Sequence, residues 1–362
     1  MGHDPGMRVL VAPDRFSGGA ATLTSVEAAE AIAEGWGRSA PYDQVDLLPL
    51  SDGGPGFLDV LHPALGGDLS VATVHGPLGE PVPARVLVVD GTAYVEAAEA
   101  VGLHLVAPRD RDPAGSSTEG VGELVAAAVG TGAGRVVVGV GGTATTDGGR
   151  GLVDALDGLA AGRALVEGVE LVVATATDAP LMGHSGAAHG FAGAKGADRA
   201  TRDALETSLR EWATVTDGGL AVRPGAGAGG GIGFGLLLLG AERVNGTQLV
   251  ADLVGLDDRV RAADVAVTGQ AVFDWEALRG RVVIGVARAA QAAGRPTVVL
   301  AERVDVGRRE LSSAGIDAAY AVDDSPRSDP GDGEPGPAGD SPHTAGERIA
   351  ALAARVARTW SR

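Results

Sequence analysis

Cysteine is absent from this chain of 362 residues, which excludes disulfides, thiol catalysis and zinc sites built on cysteine. Aromatic residues make up only 3% of the sequence, so there is little surface on which nucleobases could stack. The 29 lysines and arginines are outnumbered by 47 aspartates and glutamates. The resulting formal net charge of −18 argues against binding to nucleic acid or to an anionic membrane surface. A small anionic substrate, held by a few local cations or a metal ion, is compatible with this balance.

Long apolar runs are also missing. No stretch approaches the length of a transmembrane helix, and Met1–Gly6 lacks the apolar core of a signal peptide. We therefore expect a cytoplasmic protein. A chain of this length exceeds one ordinary hydrophobic core and predicts two domains, while its composition leaves the oligomeric state open.

Lysine is reduced to a single residue: of the 29 lysines and arginines, only Lys195 is a lysine. Arginine cannot reproduce a compact ammonium group on a thin, flexible stem. Because Lys195 lies among glycine and alanine in Phe191–Ala197, we consider it a candidate for binding an anion such as phosphate. The alternative is a surface lysine without a function, and its rarity alone does not decide between the two.

Apolar, β-branched runs recur along the chain, with helical patterns between them. Continuous apolar strands that alternate with helices are typical of a mostly parallel sheet covered on both faces. The predicted strands are Arg8–Asp14, Asp46–Asp52, Arg135–Gly141, Glu170–Asp178, Ala263–Gly269, Pro296–Ala301 and Asp317–Val322. Thr24 and Asp198 are typical capping residues that predict helix starts, and Thr344–Trp360 predicts a final helix.

Two stretches differ from this pattern. Val71–Ala98 predicts antiparallel hairpins, and Asp323–His343, rich in Asp, Pro, Gly and Ser, predicts a disordered surface insertion. The regular strand–helix units at the two ends of the chain together predict one open sheet of five strands. We therefore expect a discontinuous first domain, residues 1–66 with 252–362, and a second domain, residues 67–251, inserted into it.

Five aspartates follow predicted strands: Asp14, Asp52, Asp147, Asp178 and Asp274. Ligands of open α/β sheets bind outside the carboxyl ends of the strands, where such side chains collect. Unpaired carboxylates repel one another, so a cluster needs a purpose, such as binding Mg²⁺ or taking a proton from a hydroxyl. The alternative for each aspartate alone is that it caps the next helix. The five aspartates together favour a shared site that binds a metal ion or takes a proton from a substrate.

Two glycine-rich loops accompany these acids. Gly139–Gly149 follows a strand, and its backbone N–H groups and threonine hydroxyls predict a phosphate site at the start of a helix. Pro224–Gly235 is a second such loop, although no clean strand precedes it. No Walker A motif is present, because Lys195 lacks the glycine loop before it and the Ser/Thr after it.

Nine short segments, taken in chain order, resemble the type I glycerate kinases. They are Ala12–Gly18, Ser51–Gly56, Gly76–Pro81, Gly120–Leu124, Gly141–Gly149, Asp178–Leu181, Ala194–Ala197, Pro224–Gly231 and Thr268–Asp274. The similarity extends over nearly the whole chain, from Arg8 to about Asp323. It implies a flavodoxin-like, parallel-sheet α/β domain with a second α/β domain inserted, and an active site in the cleft between them. It also implies ATP-dependent phosphorylation of D-glycerate to phosphoglycerate with Mg²⁺.

Under this resemblance the candidate residues acquire roles. Asp52 or Asp178 takes the proton of the substrate hydroxyl, and Asp14 is a further catalytic carboxylate. Lys195 neutralises the phosphate or the glycerate carboxylate. The expected metal ligands are Asp52, Asp147 and Asp178. The expected nucleotide-binding residues are Gly141, Gly142, Thr143, Thr145, Asp147 and Gly148. The expected substrate-binding residues are Arg15, Ser17, Gln270 and Asp274.

The chain departs from the family pattern at several positions. Ser17 stands where the family usually carries lysine, and Arg15 is a neighbouring source of positive charge. Pro55 and Gln270 replace glutamates, and the change at Gln270 removes a negative charge. Three functions therefore stay open: a glycerate kinase, a kinase for another small hydroxy acid, and a related protein that binds ligand with weak or no catalysis.

Overall fold

The computed structural model describes residues 6–17, 22–275, 277–322 and 344–361. The predicted insertion Asp323–His343 lies outside the described residues. The chain forms two compact units: unit 1 comprises Met1–Ser51 and Val250–Arg362, and unit 2 comprises Asp52–Leu249. Among the described residues, no helix combines the length and apolar character needed to span a membrane.

Eleven strands, β1 to β11 in chain order, lie within the described residues. They are Arg8–Val11, Gln44–Leu47, Asp68–His75, Pro81–Val89, Thr92–Glu96, Arg135–Gly139, Glu170–Thr175, Glu242–Asn245, Val265–Phe273, Thr297–Val304 and Ala318–Ala321.

The same described ranges contain fourteen α-helices, α1 to α14 in chain order. They are Ser25–Ser39, Phe57–Leu65, Ala97–Val101, Glu119–Gly130, Arg150–Asp154, Leu159–Leu165, Arg199–Val215, Gly218–Ala221, Ile232–Leu238, Gly246–Leu253, Leu256–Ala262, Val282–Ala292, Arg308–Ser313 and Ala345–Trp360. Short 3₁₀ or π turns span Leu103–Leu105, Pro108–Asp110, Ala187–Phe191, Ala192–Lys195, Ala228–Gly230 and Ala277–Arg279.

Unit 1 is an open, fully parallel sheet of five strands in the order β11-β10-β9-β1-β2. This is the strand order of flavodoxin-like folds, and it confirms the predicted fold class. Successive β10 residues face opposite ways: Val298 and Leu300 pack with α1 and α14, while Val299 and Ala301 pack with α12. Both α1 and α14 begin with the capping box expected from a threonine three residues before a glutamate.

Unit 2 is a mixed sheet of six strands in the order β3-β4-β5-β6-β7-β8. Strands β3, β4 and β5 form the predicted antiparallel hairpins, and β5 to β8 run parallel. The carboxyl ends of β5, β6, β7 and β8 therefore lie at one edge of the sheet, and the loops that follow them meet there. Strand β8 was missed in the sequence because its four residues are mostly polar.

The first border between the units lies at Ser51/Asp52 rather than at 66/67, and the second at 249/250 rather than at 251/252. The reason is α2, which packs on unit 2. Phe57 is fully buried there, with its ring 6.3 Å from that of Tyr94, and Asp59 forms an ion pair with Arg85 at 2.8 Å. Asp52 therefore belongs to the same unit as Asp147, Asp178 and Lys195.

Candidate active site

The two glycine-rich loops of unit 2 pack against each other backbone to backbone. The first loop, Gly139–Gly149, follows β6, and the second, Pro224–Gly235, leads into α9. Gly148 N–H donates to the carbonyl of Gly230 at 3.0 Å. At Gly231, where φ is +102°, a Cβ would stand 2.3 Å from the Cα of Gly148. Only glycine allows the loops to approach this closely.

Lys195 lies at the junction of the two loops. Its side chain is buried, and Nζ donates to the carbonyl of Thr145 at 2.5 Å. A Cβ on Gly230 would come within 2.9 Å of Nζ, so the ammonium fills the space beside the second loop. Among the described residues no carboxylate forms an ion pair with Nζ. Burial lowers the pKa of Lys195 to about 7, against the opposing charge of Asp147.

The protonation of Lys195 predicts how stability depends on pH. The folded pKa of about 7 lies below the ordinary 10.5, so between these values the unfolded chain binds the proton and the folded chain does not. The free-energy cost of burying the charged ammonium is therefore present in full below pH 7, and it is lost as the pH rises from 7 to 10.5. We expect the unfolding free energy of the parent minus that of Lys195→Met to rise with pH, by at most about 1.4 kcal/mol per unit.

Chemical denaturation at pH 7, 8, 9 and 10 measures this difference directly. Subtracting the variant removes the contributions of all other titrating groups. A difference that stays constant across this range would show that the ammonium remains charged in the folded chain.

Two buried hydroxyl groups of the first loop have no hydrogen-bond partner within the described residues. They belong to Thr143 and Thr146, which flank the carbonyl that Lys195 contacts. Thr145, by contrast, directs its hydroxyl to the carbonyl of Gly229 at 3.4 Å. Buried polar groups are normally paired, so two unsatisfied hydroxyls in the loop that also binds a buried ammonium favour an anionic ligand here.

Asp147 has a structural role. One carboxylate oxygen accepts from the N–H and hydroxyl of Thr118, at 2.9 and 2.8 Å, and from Gly151 N–H at 3.0 Å. The other oxygen accepts from Gly149 N–H at 3.0 Å. These donors include the first amides of α5, so the predicted phosphate site at that helix start is already occupied by a side chain. The capping alternative describes Asp147 better than the predicted metal role.

Replacement of Asp147 by alanine is expected to lower the unfolding free energy by about 2 kcal/mol or more. It removes the acceptor for four donors, of which Thr118 is fully buried. Urea denaturation of parent and variant measures the loss. A variant as stable as the parent would contradict this structural role and leave the predicted metal role of Asp147 open.

Asp52 lies beside Gly141 of the first loop, at the carboxyl edge of the sheet. It is half-buried, and Oδ1 accepts from Gly54 N–H at 3.0 Å, while Oδ2 accepts no hydrogen bond from the described residues. A Cβ on Gly141 would stand 4.0 Å from Oδ1. Asp52 and Lys195 therefore lie at opposite ends of the stretch Gly141–Thr145.

Asp178 follows β7 at the same edge, but it is exposed and paired. Its side chain is 74% accessible and forms an ion pair with Arg243 of β8 at 2.6 Å. Arg243 also donates to the carbonyls of Thr175 and Thr177, both at 3.4 Å. Because the carboxylate of Asp178 is solvated and held by a guanidinium, whereas Oδ2 of Asp52 accepts no hydrogen bond from the described residues, Asp52 is the better candidate for the base.

Unit 1 gathers its own candidates at the carboxyl ends of β1 and β9. Asp14 is buried, accepts from Arg15 N–H at 2.8 Å, and donates its own N–H to Gly269 O at 2.9 Å. Gln270 is buried in β9, and its Oε1 has no hydrogen-bond partner within the described residues. Asp274 accepts from Ala277 N–H at 3.1 Å.

The remaining unit 1 candidates are more accessible: Arg15 is half-buried and Ser17 is exposed. Each unit thus collects its own candidates at one edge of its sheet. The predicted shared cleft for all of them stays a prediction.

Sequence reasoning missed two residues of the unit 2 edge, Arg243 and Glu96. Arg243 carries no sequence signal, because it is one of 28 arginines and lies on an unrecognised strand. Glu96 did carry a sequence signal, because it is an acidic residue at the end of a strand, as the five aspartates are. The strand-end pattern described above contains only aspartates and therefore omits it. Burial raises the pKa of Glu96 to about 8, an effect increased by nearby Glu99.

Comparison with known proteins gives a consistent result. The model of the glycerate kinase family matches residues 9–164 and 159–360. An uncharacterized protein of Mycobacterium bovis is 44% identical over 326 residues, covering 88% of this chain and 84% of the relative. Glycerate 2-kinase of Escherichia coli is 34% identical over 349 residues, covering 87% of this chain and 90% of that enzyme.

Among solved structures, a putative glycerate kinase 2 from Salmonella typhimurium LT2 has a similar fold. The TM-score is 0.71 at 28% identity, and the match covers 98% of each chain. The likeness therefore extends to both units.

Proposed function

Because the chain belongs to the glycerate kinase family, we propose that it transfers a phosphoryl group from ATP to a hydroxyl of D-glycerate. The observation that carries this proposal is the environment of Lys195. A buried ammonium whose one hydrogen-bond partner among the described residues is a neutral carbonyl is costly, and the loop that supplies this carbonyl carries two threonine hydroxyls without a partner among the same residues. A phosphate group supplies the missing negative charge and the missing hydrogen-bond acceptors.

The phosphate groups of ATP fit the residues of the first glycine loop. Thr143 and Thr146 offer hydroxyl donors, and Lys195 offers a cation that a phosphate would keep protonated. Thr145 and Gly148 are already engaged by the second loop, so they shape the site. Positioning and charge neutralisation of this kind account for most of the catalysis of phosphoryl transfer.

The predicted Mg²⁺ site does not fit unit 2 as a set of three aspartates. The oxygens of Asp147 accept four hydrogen bonds, and Asp178 is neutralised by Arg243. Asp52 has neither obstacle within the described residues: its Oδ2 accepts no hydrogen bond from them, and no arginine or lysine among them forms an ion pair with it. Mg²⁺ is usually bound in kinase sites together with the phosphates of the nucleotide, and we propose that it enters this site in the same way.

Asp52 is the proposed general base. Its free Oδ2 accepts the proton of the substrate hydroxyl while the oxygen of that hydroxyl forms a bond to the γ-phosphorus. The bond from phosphorus to the bridging oxygen of ADP breaks at the same time, and Lys195 neutralises the phosphate oxygens. Asp52 is fixed on the turn Asp52–Gly56, so no large movement is needed to present the carboxylate.

The test is ADP formation by the purified chain with ATP, Mg²⁺ and D-glycerate, with L-glycerate and other small hydroxy acids as alternative substrates. We expect turnover that requires the acid and is fastest with D-glycerate. Faster turnover of another acid would favour the altered-substrate alternative. No turnover by the parent and recovery by Gln270→Glu would favour the non-catalytic alternative, and thermal shifts with each ligand would then show whether binding remains.

A further inference from the structure

We propose that Glu96 is a positioning residue for the proposed phosphoryl transfer: from the end of β5 it holds the turn that presents Asp52. The proposal rests on the proposed function and adds a residue that does not itself touch substrate. Three observations carry it, namely the contacts of Glu96, the fixation of the turn Asp52–Gly56, and the absence of a cationic partner for a buried carboxylate.

Glu96 contacts backbone amides at the start of α2. Oε1 and Oε2 accept from Gly56 N–H at 3.2 and 3.1 Å, and Oε2 accepts from Leu58 N–H at 3.4 Å. The side chain is almost fully buried. It reaches from the sheet to an amide 40 residues earlier in the chain, so the contact is a tertiary one.

The turn between Asp52 and Gly56 is held from both ends. At its start, a Cβ on Gly246 would stand 2.1 Å from the carbonyl oxygen of Asp52, which shows how closely α10 approaches. In its middle, Gly54 lies against Gly141 of the first loop, with 2.8 Å from the Gly54 Cα to a Cβ placed on Gly141. At its end, Glu96 holds Gly56. Loss of Glu96 therefore releases the end of the turn nearest α2.

A helix cap alone does not require this residue. A short polar side chain at the capping position, which Gly56 occupies here, would accept from Leu58 N–H but not from its own N–H, which Glu96 binds. Glu96 instead buries a carboxyl group without an ion pair among the described residues. Arg85, on the neighbouring strand β4, forms its ion pairs with Glu99 and Asp59. A buried acid without a cation is costly, and fixing a catalytic turn is a reason for keeping it.

The experiment compares Glu96→Ala and Glu96→Gln with a matched control, Glu99→Gln. Glu99 lies three residues further along, is also largely buried, and contacts Arg85 instead of the turn. We expect Glu96→Ala to lower kcat by up to about 100-fold, because a displacement of about 1 Å in a catalytic group has that effect. The KM values for ATP and D-glycerate should stay within about threefold, since the substrate contacts remain.

Glu96→Gln should recover part of kcat, because the amide oxygen still accepts from Gly56. Glu99→Gln should lower the melting temperature and leave kcat within about twofold. If the alanine variant does not fold, the glutamine variant carries the comparison. A normal kcat in a Glu96 variant with a lowered melting temperature would show that Glu96 is only a helix cap, and would overturn the proposal.

Amide hydrogen exchange separates this inference from the proposed function. We expect exchange at Gly54 and Gly56 to accelerate in the Glu96 variants and to stay unchanged in Glu99→Gln. Acceleration at Leu58 alone would overturn the inference even in an active enzyme. A parent chain without glycerate-dependent turnover refutes the proposed function, whereas the exchange measurement still decides whether Glu96 holds the turn.

Discussion

Replacement of Lys195 by methionine is expected to lower kcat/KM for phosphoryl transfer by about 100- to 1,000-fold. The ammonium is the cation at the junction of the two glycine loops, and removal of one preorganised charge donor has an effect of this size. Methionine fills a similar volume without the charge. Steady-state kinetics with ATP and D-glycerate measures the loss.

The fold should tolerate this substitution. Nζ is buried with one neutral partner, so its removal leaves the carbonyl of Thr145 unpaired but also removes a buried charge. We expect a melting temperature equal to or above that of the parent. Lys195→Arg is the complementary variant: it keeps the charge, but the space beside Gly230 does not admit a guanidinium.

Both variants should therefore lose activity for different reasons. An active Lys195→Met enzyme would contradict the role of the ammonium in catalysis. Full activity in Lys195→Arg would contradict the steric part of the argument, because it would show that any cation serves.

Replacement of Asp52 by asparagine is expected to lower kcat by about 100-fold or more, because an amide cannot take the hydroxyl proton. The amide oxygen still accepts from Gly54 N–H, so the turn keeps its internal hydrogen bond. The matched variant is Asp178→Asn, which removes the exposed partner of Arg243. We expect that variant to retain most of its kcat.

The pair of variants decides between the two aspartates that the sequence left open as the base. Equal losses in both would show that each carboxylate contributes to the reaction. A large loss in Asp178→Asn alone would assign the base to Asp178, and Asp52 would then have a structural role.

The parallel sheets followed from the sequence because their physical signal is local. Buried parallel strands are continuous apolar runs, as in Val136–Val138 and Val298–Ala301, and glycine or aspartate ends them. Capping boxes such as Thr24–Glu27 are equally local, because the two residues satisfy each other. Strand β8 escaped recognition because an edge strand with polar residues lacks this signal.

The roles of the strand-end acids were not accessible in the same way. Asp52 and Asp147 both stand before glycine pairs in loops at the carboxyl edge of the sheet, and the sequence gives them the same appearance. They differ in the donors within reach: Asp147 accepts from Thr118, which is 29 residues away, whereas Oδ2 of Asp52 accepts no hydrogen bond from the described part of the chain. Such long-range pairing depends on the fold, so local pattern cannot separate a cap from a catalytic group.

The environment of Lys195 also required the structure. The sequence identifies a solitary lysine among small residues. The burial of Lys195 depends on how the fold brings the two glycine loops together, and so does the lack of a partner among the described residues for the hydroxyls of Thr143 and Thr146. The contacts of Glu96 depend on the fold in the same way, because its oxygens accept from amides 38 and 40 residues away.

One measurement tests the phosphate site most directly, and the single lysine of this chain makes it simple. Selective labelling of lysine with ¹³C at Cε gives one side-chain NMR resonance, which belongs to Lys195. The account predicts that this resonance titrates near pH 7 in the free protein and that ATP with Mg²⁺ moves the titration to higher pH. A resonance that titrates near the ordinary lysine value and does not respond to ATP would contradict it.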